Sequence, residues 1–295
     1  MFPLRLSRIF LIVLLSGAKT AHGATTYWQK VLATRPASLV GAWALNETSG
    51  VVATDASGNG NHGSYSGVLL NGAIHPDGLS APRFDGVNDA VTIPDTANLN
   101  PTEITICAWV QAADTGYWRG ILSKTDAATW GTGYGLFFAS DQSLNGFVGS
   151  YGSGVSATFA INDWVHLCYT RDSTTQTLYQ NGSIISSAAA AGVSVATDDL
   201  YIGLQSGGRY WWGAIARLAI WNEALSASEI ADLATINSGT LLSSDFREVM
   251  SIGSGGKQGY LEYGVTVGDV LIVSSLGVIA GLATFGIYLF LRKER

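Results

Sequence analysis

Across residues 24–236 the apolar positions come in short runs separated by Gly, Asn, Asp and Ser. Residues 104–110 (Ile-Thr-Ile-Cys-Ala-Trp-Val) and 164–170 (Trp-Val-His-Leu-Cys-Tyr-Thr) are dense in β-branched and aromatic residues, which favour strands. Residues 178–185 place Asn181-Gly182 between two apolar pairs, the pattern of a type I′ hairpin. Residues 133–139, 145–149 and 200–203 predict further strands. Short strands with turn signals about every 8–12 residues predict an all-β fold, a sandwich of two antiparallel sheets. Two segments depart from this pattern and read as helices, residues 27–33 and 226–236. The second opens with Ser226 and has Glu229 three residues on, a capping box.

The two ends have a different pattern. Arg5 and Arg8 precede an apolar run at residues 9–15, and Ala21-His22-Gly23 follows. A basic start, a short apolar stretch and small residues at the end predict a secretory signal peptide over residues 1–23. Residues 270–291 carry no charge, and a helix of that length spans about 33 Å, enough for a bilayer core. Arg292, Lys293 and Arg295 follow at once, so the tail 292–295 is expected in the cytoplasm and the body outside it, extracellular or periplasmic. Gly277 and Gly281 would give that single-pass helix a flat face for helix–helix self-association. Residues 239–269, with Gly253-Ser254-Gly255-Gly256, read as a stalk between the membrane and a domain at 24–238.

Charge narrows the partners. The formal net charge of the 295 residues is −6, and the segment 24–269, with 10 Lys/Arg and 21 Asp/Glu, carries −11. An acidic body repels phosphate backbones, so nucleic acid is not an expected partner. Two Cys and four His are too few for a zinc finger or an iron–sulfur centre.

Several stretches together resemble a known family. Trp43-Ala44-Leu45-Asn46-Glu47-Thr48-Ser49-Gly50, followed by residues 55–63 (Asp-Ala-Ser-Gly-Asn-Gly-Asn-His-Gly), is similar to the opening of laminin G-like, concanavalin A-like jelly-roll domains. Residues 84–91 (Phe-Asp-Gly-Val-Asn-Asp-Ala-Val) resemble their second signature, and residues 213–226 their closing strand and helix. The resemblance covers about 200 residues in family order. It implies a jelly roll of about twelve to fourteen strands that binds carbohydrate or protein rather than performing catalysis. Pentraxins share this fold, and similarity to them implies a disulfide between Cys107 and Cys168. Two Cys in an exported chain also meet an oxidising compartment. Closing that loop would contribute roughly 3–4 kcal/mol on the chain-entropy model.

Candidate chemistry is of three kinds. Concanavalin A-like hydrolases set two carboxylates on one face of one strand. That spacing is absent here: Asp198 and Asp199 are adjacent and would point to opposite faces. His62, His75 and His166 form no metal spacing. Catalysis is therefore not expected. Calcium is the one cofactor the sequence suggests. Asp55, Asn59 and Asn61 put oxygens in a Gly-bearing loop, as a hard cation needs. The pentraxin calcium loops resemble residues 124–126 and 203–206, where only Asp126 and Gln205 remain as ligands. Relatives often carry an acid where this chain has Ala216-Arg217, which weakens the calcium reading. Aromatic residues are the third kind. Trp109, Trp164, Trp211 and Trp221 are expected in the sandwich core, and Trp118, Trp130 and Trp212 in loops. Sugar rings pack on aromatic faces and take orientation from a few polar groups. The expected ligand site is therefore Asp126, Trp130, Gln205, Arg209, Tyr210 and Trp212, with Trp130 and Trp212 exposed. Asn46 and Asn181 lie in glycosylation sequons that matter only in a eukaryotic secretory pathway.

The preferred reading is a membrane-anchored surface protein that recognises a glycan or glycoprotein. A filamentous-phage-like adsorption or coat protein has the same layout. An exported glycan-active enzyme is disfavoured because no carboxylate pair is found.

Overall fold

A computed structural model describes residues 26–114, 117–126, 130–158, 163–205 and 207–236, together with the strands at 250–254, 257–262 and 290–291. In chain order the strands are β1 Leu39–Trp43, β2 Val52–Ala53, β3 Gly63–Ser66, β4 Leu69–Ile74, β5 Ser80–Asp85 and β6 Ala90–Ile93. They continue with β7 Ile104–Ala112, β8 Arg119–Lys124, β9 Tyr134–Phe138, β10 Ser143–Val148, β11 Val155–Thr158 and β12 Val165–Arg171. The remainder are β13 Thr175–Gln180, β14 Ser183–Ala189, β15 Leu200–Ile202, β16 Leu204–Gln205, β17 Arg209–Tyr210 and β18 Trp212–Trp221. Two helices, α1 Tyr27–Ala33 and α2 Ala227–Ala234, flank them.

Among the described residues sixteen of these strands form two eight-stranded antiparallel sheets, and β16 and β17 pair with each other as a separate ribbon. The first runs β14-β13-β12-β7-β18-β5-β4, with β1 also on β18; the second runs β11-β10-β9-β8-β15-β6-β3-β2. The fold is the predicted jelly-roll sandwich, with more strands than expected because two-residue pieces such as β2 also pair. Backbone strands Met250–Ser254, Lys257–Glu262 and Phe290–Leu291 form a separate sheet, so part of the segment read as a stalk is extended hairpin. Residues 1–23 and 270–289, which carry the predicted signal peptide and nearly all of the predicted membrane helix, lie outside the described residues.

The unbroken apolar runs have a physical reason: the first sheet is covered on both faces. On β7, Ile104, Ile106, Ala108 and Val110 enter the core between the sheets. Cys107 and Trp109 point the other way, into a second core. On β12, Val165, Leu167 and Tyr169 face the sandwich and Cys168 faces outward. The helices roof this second core with Tyr27, Val31, Ile230 and Leu233. This corrects the expectation for the tryptophans. Trp211 fills the sandwich core, but Trp109, Trp221 and the half-buried Trp164 belong to the outer core beneath the helices.

Local signals landed where expected. Ser226 accepts from the Glu229 N–H and the Glu229 carboxylate accepts from the Ser226 N–H, closing the predicted capping box. Thr26 and Gln29 build a second such box on α1. Asn181 and Gly182 both have positive φ (49° and 80°) at the β13–β14 hairpin, as a type I′ turn requires. The Cys107–Cys168 disulfide joins directly opposed residues of β7 and β12.

Candidate functional site

The loops that the sequence pointed to do meet. β16 and β17 form a tight hairpin in which Gln205 and Arg209 are cross-strand partners. Gly207 and Gly208 turn it with φ of 101° and 85°, values that favour Gly. The Arg209 guanidinium donates through Nη1 to Gln205 Oε1 at 3.3 Å. It lies over the Trp130 ring, 4.2 Å from the centroid, and over Trp118 at 4.8 Å.

A bed of rings on the outer face of the second sheet supports this cation. On β9, Tyr134, Leu136 and Phe138 enter the sandwich core, so Phe137 takes the opposite face. Trp118 stacks on Phe137 at 5.5 Å, while Trp130 and Tyr151 meet it at 5.9 and 5.4 Å. The Tyr151 N–H donates to the Trp130 carbonyl and pins the loop. Asp126 staples the other end of that loop, accepting from the Gly131 N–H and the Thr132 hydroxyl, each at 3.0 Å. Trp130 itself has φ of 52°, an uncommon conformation for a bulky residue. Its surroundings hold it there at a cost of order 1–2 kcal/mol. Trp130 is half-buried, and its face is taken by Arg209. It is therefore a support for the cation and not the open stacking surface expected.

Open aromatic surface lies beside it. Trp212 is 41% exposed and Tyr117 67% exposed. Arg119 stands 5.9 Å from the Trp212 ring and 5.6 Å from the Tyr117 ring. Arg119 Nη1 donates to the carbonyls of Tyr210 (3.0 Å) and Gly86 (3.3 Å), and Nη2 reaches Asp114 at 3.5 Å. The Tyr210 carbonyl thus links the two cation–aromatic stations through β17. Trp118 was noted only as a loop residue, and Tyr117 and Arg119 were missed. A Trp-Arg step entering a strand was the available signal.

Two electrostatic features stand out. Burial pulls the Arg209 pKa below its usual value, because the charged form loses water. Gln205 is 1% exposed, and its Nε2 donor has no hydrogen-bond partner. A buried amide donor without an acceptor costs about 1–3 kcal/mol.

The other candidates have structural work. Both Asp55 oxygens accept backbone N–H groups: Ala42 and Ser57 at Oδ1, Asn61 at Oδ2, all at 2.9 Å. Asn59 and Asn61 donate to the carbonyls of Leu39 and Val40. These three residues, read as calcium ligands, fasten a turn to β1. At the other loop compared with calcium sites, the Lys124 ammonium is enclosed by oxygens. It contacts the Ala196 carbonyl at 2.6 Å, the Asp198 carbonyl at 2.8 Å and Asp95 at 2.7 Å. A side-chain cation stands there among the carbonyl and carboxylate oxygens that a hard cation would seek. Arg217 is buried and bidentate to Asp77 at 2.8 and 2.9 Å. Asn46 and Asn181 are exposed, and the Asn181 side-chain oxygen accepts from the His166 N–H. Cys107, His166 and Cys168 bring potential metal-ligand atoms together in the outer core, but both sulfurs are in the disulfide.

A two-sheet jelly roll with an aromatic and cationic loop cluster on one sheet is a concanavalin A-like architecture. Residues 85–231 match the family model described as the concanavalin A-like lectin/glucanases superfamily, in its laminin G-like branch. That part of the chain is a laminin G-like jelly-roll domain, and the sandwich continues N-terminally to β1. No curated protein sequence matches the chain. Among solved structures, botulinum neurotoxin type C, studied for cell entry dependent on two ganglioside molecules, superposes with TM-score 0.53 at 15% identity over 69% of this chain and 52% of that one. The binding domain of Paraclostridial Mosquitocidal Protein 1 gives 0.53 at 15% identity over 77% and 64%. The binding domain of botulinum neurotoxin DC in complex with SialylT gives 0.53 at 14% over 70% and 52%. The chain spans about half the length of the two botulinum chains.

Proposed function

We propose that the protein is a carbohydrate-binding surface protein, exported and held to a membrane by its C-terminal segment. The observation that carries the binding reading is the pairing of open aromatic faces, Trp212 and Tyr117, with a polar cluster of Arg209, Gln205 and Arg119 on adjoining loops. Rings offer flat apolar faces to sugar C–H groups, and the polar groups fix orientation. Support also comes from solved structures of similar fold, one of botulinum neurotoxin type C studied for its interaction with gangliosides and one a binding domain in complex with SialylT. We read the site as binding and not cleaving. The carboxylates on these loops, Asp114 and Asp126, are engaged by Arg119 and by Gly131 and Thr132.

The test is a glycan array probed with the full-length protein, followed by affinity measurement on the best binder. Trp212→Ala and Gln205→Ala should each weaken binding by roughly tenfold or more, about 1.4 kcal/mol, with the fold intact by circular dichroism. Binding that is unchanged in both variants places the glycan elsewhere. No binding to any array member removes the reading.

A further inference from the structure

The environment of Arg209 goes further than glycan binding. Arg35 pairs with Glu223 and Glu229, Arg119 with Asp114, and Arg217 with Asp77. Arg83, Arg171 and Arg209 have no ion pair among the described residues; buried Arg171 is met by the Thr102 and Ala191 carbonyls, whereas Arg209 contacts two indole rings and the Gln205 side-chain oxygen. Stacking a planar guanidinium on aromatic faces leaves its N–H edge able to take an anion in fork geometry. Beside that edge stands the Gln205 amide, 1% exposed, whose N–H₂ has nothing to donate to. A half-buried cation and a buried unpaired donor, adjacent on one hairpin, lack the same thing: an anionic acceptor.

We propose that this site takes an acidic sugar, with its carboxylate or sulfate seated between the Arg209 guanidinium and the Gln205 amide. The inference rests on the carbohydrate-binding reading and names the class of glycan. A neutral hydroxyl would satisfy the Gln205 donor but leave the partly desolvated charge of Arg209 without compensation. An anion accepting from both forms charge-assisted hydrogen bonds, roughly twice as strong as neutral ones. The rest of the sugar then extends over the ring faces of Trp212 and Tyr117, through the step that Arg119 makes to the Tyr210 carbonyl. The segment 24–269 carries a formal −11, so distant charge opposes such a ligand and the local donors must do the holding.

The experiment uses the full-length protein and three oligosaccharides on one backbone: lactose, sialyllactose and sulfated lactose. The sialylated or sulfated member should bind at least tenfold more tightly than lactose, and the better of the two identifies the source of the anion. Arg209→Gln should erase that preference, so that the acidic sugar binds no more tightly than lactose does to the same variant. Gln205→Leu, which removes the buried amide at similar volume, should reduce the preference in the same direction. Equal binding of all three sugars overturns the anionic assignment and leaves the carbohydrate reading standing. A preference that survives Arg209→Gln also overturns it, since the anion is then held elsewhere. No binding of any of the three, together with an empty glycan array, removes both readings.

Discussion

At the scale of single residues, buried positive charges set the character of this domain. Lys124 is fully buried at the end of β8, with two carbonyls and the Asp95 carboxylate around its ammonium. The Lys124 hydrogen bond is the main reason that the Asp95 pKa lies below its ordinary value. Lys124→Met keeps the volume and removes the charge. Two carbonyls and a carboxylate then lose their donor, at a cost of about 2–4 kcal/mol. A urea midpoint should register that loss, and a change under about 1 kcal/mol would show that water replaces the ammonium without penalty. Arg217 is the parallel case in the outer core. It sits at a β-bulge with φ of 55°, where β18 breaks register between Ala216 and Ala219, and its charge is met by Asp77 from 140 residues away. The sequence comparison saw Arg217 only as a missing acid. Its partner was not legible, because nothing local to residue 77 announces a contact with residue 217. Asp126, Trp130, Gln205, Arg209 and Tyr210 were legible as one cluster, because their loops resembled adjoining loops in a known fold. What each residue does there was not. Which face of Trp130 is free depends on where Arg209 lies, and that is a tertiary fact.

At the scale of elements, legibility followed locality. The capping box on α2 and the Asn-Gly turn are short-range patterns, and both are present as read. The β16–β17 hairpin was not predicted, because two-residue strands carry no periodicity. It is held in place by a close approach to β8. A Cβ added at Gly120 would lie 2.2 Å from the Gln205 backbone nitrogen and 2.4 Å from the Leu204 carbonyl carbon. The obstructing atoms are backbone, so the hairpin itself must move. Gly120→Ala should therefore displace Gln205 and Arg209 together from Trp118 and Trp130 and weaken glycan binding by tenfold or more. The sandwich should still fold, with a stability loss of about 1–3 kcal/mol, the usual cost of overpacking. Retained affinity in Gly120→Ala, measured on a glycan that binds wild type, would mean that the hairpin position does not set the site.

At the scale of the whole molecule, the first sheet separates two cores, and the outer one holds buried histidines. His166 lies there beside the disulfide, 3.3 Å from the Tyr27 hydroxyl, with its ring 5.2 Å from that of Trp109. His75 also packs edge-on against Trp109 and touches Asp77, which in turn holds Arg217. Burial pulls the His166 pKa from 6.5 down to about 3, with the neighbouring His75 acting in the same direction. Burial lowers His75 as well, against the opposing pull of Asp77. In the unfolded chain these imidazoles take a proton as pH falls through about 6.5, whereas folded His166 stays neutral until about pH 3. The unfolded state therefore binds more protons over that interval, and stability falls as pH falls, by up to about 1.4 kcal/mol per pH unit for one such group. Carboxylates act in a lower window. Burial pushes Asp77 upward, but hydrogen bonds from His75 and Arg217 outweigh it and hold the group below its ordinary value. The Arg35 hydrogen bond holds Glu229 at about 2. Both contributions are present above the ordinary carboxylate range and are lost only as pH drops below it. The interval from pH 6.5 to 5 thus reports the histidines, opposed among the described residues only by buried Asp89, whose carboxyl burial pushes up and which acts in the reverse sense. Denaturant midpoints measured across it should fall with pH in the wild type and flatten in His166→Gln, with near-ultraviolet circular dichroism confirming that the variant keeps its tertiary packing. A wild-type profile that is level over this interval, or an unaltered slope in the variant, would show that His166 takes up its proton in the folded state and that the outer core is not closed to water.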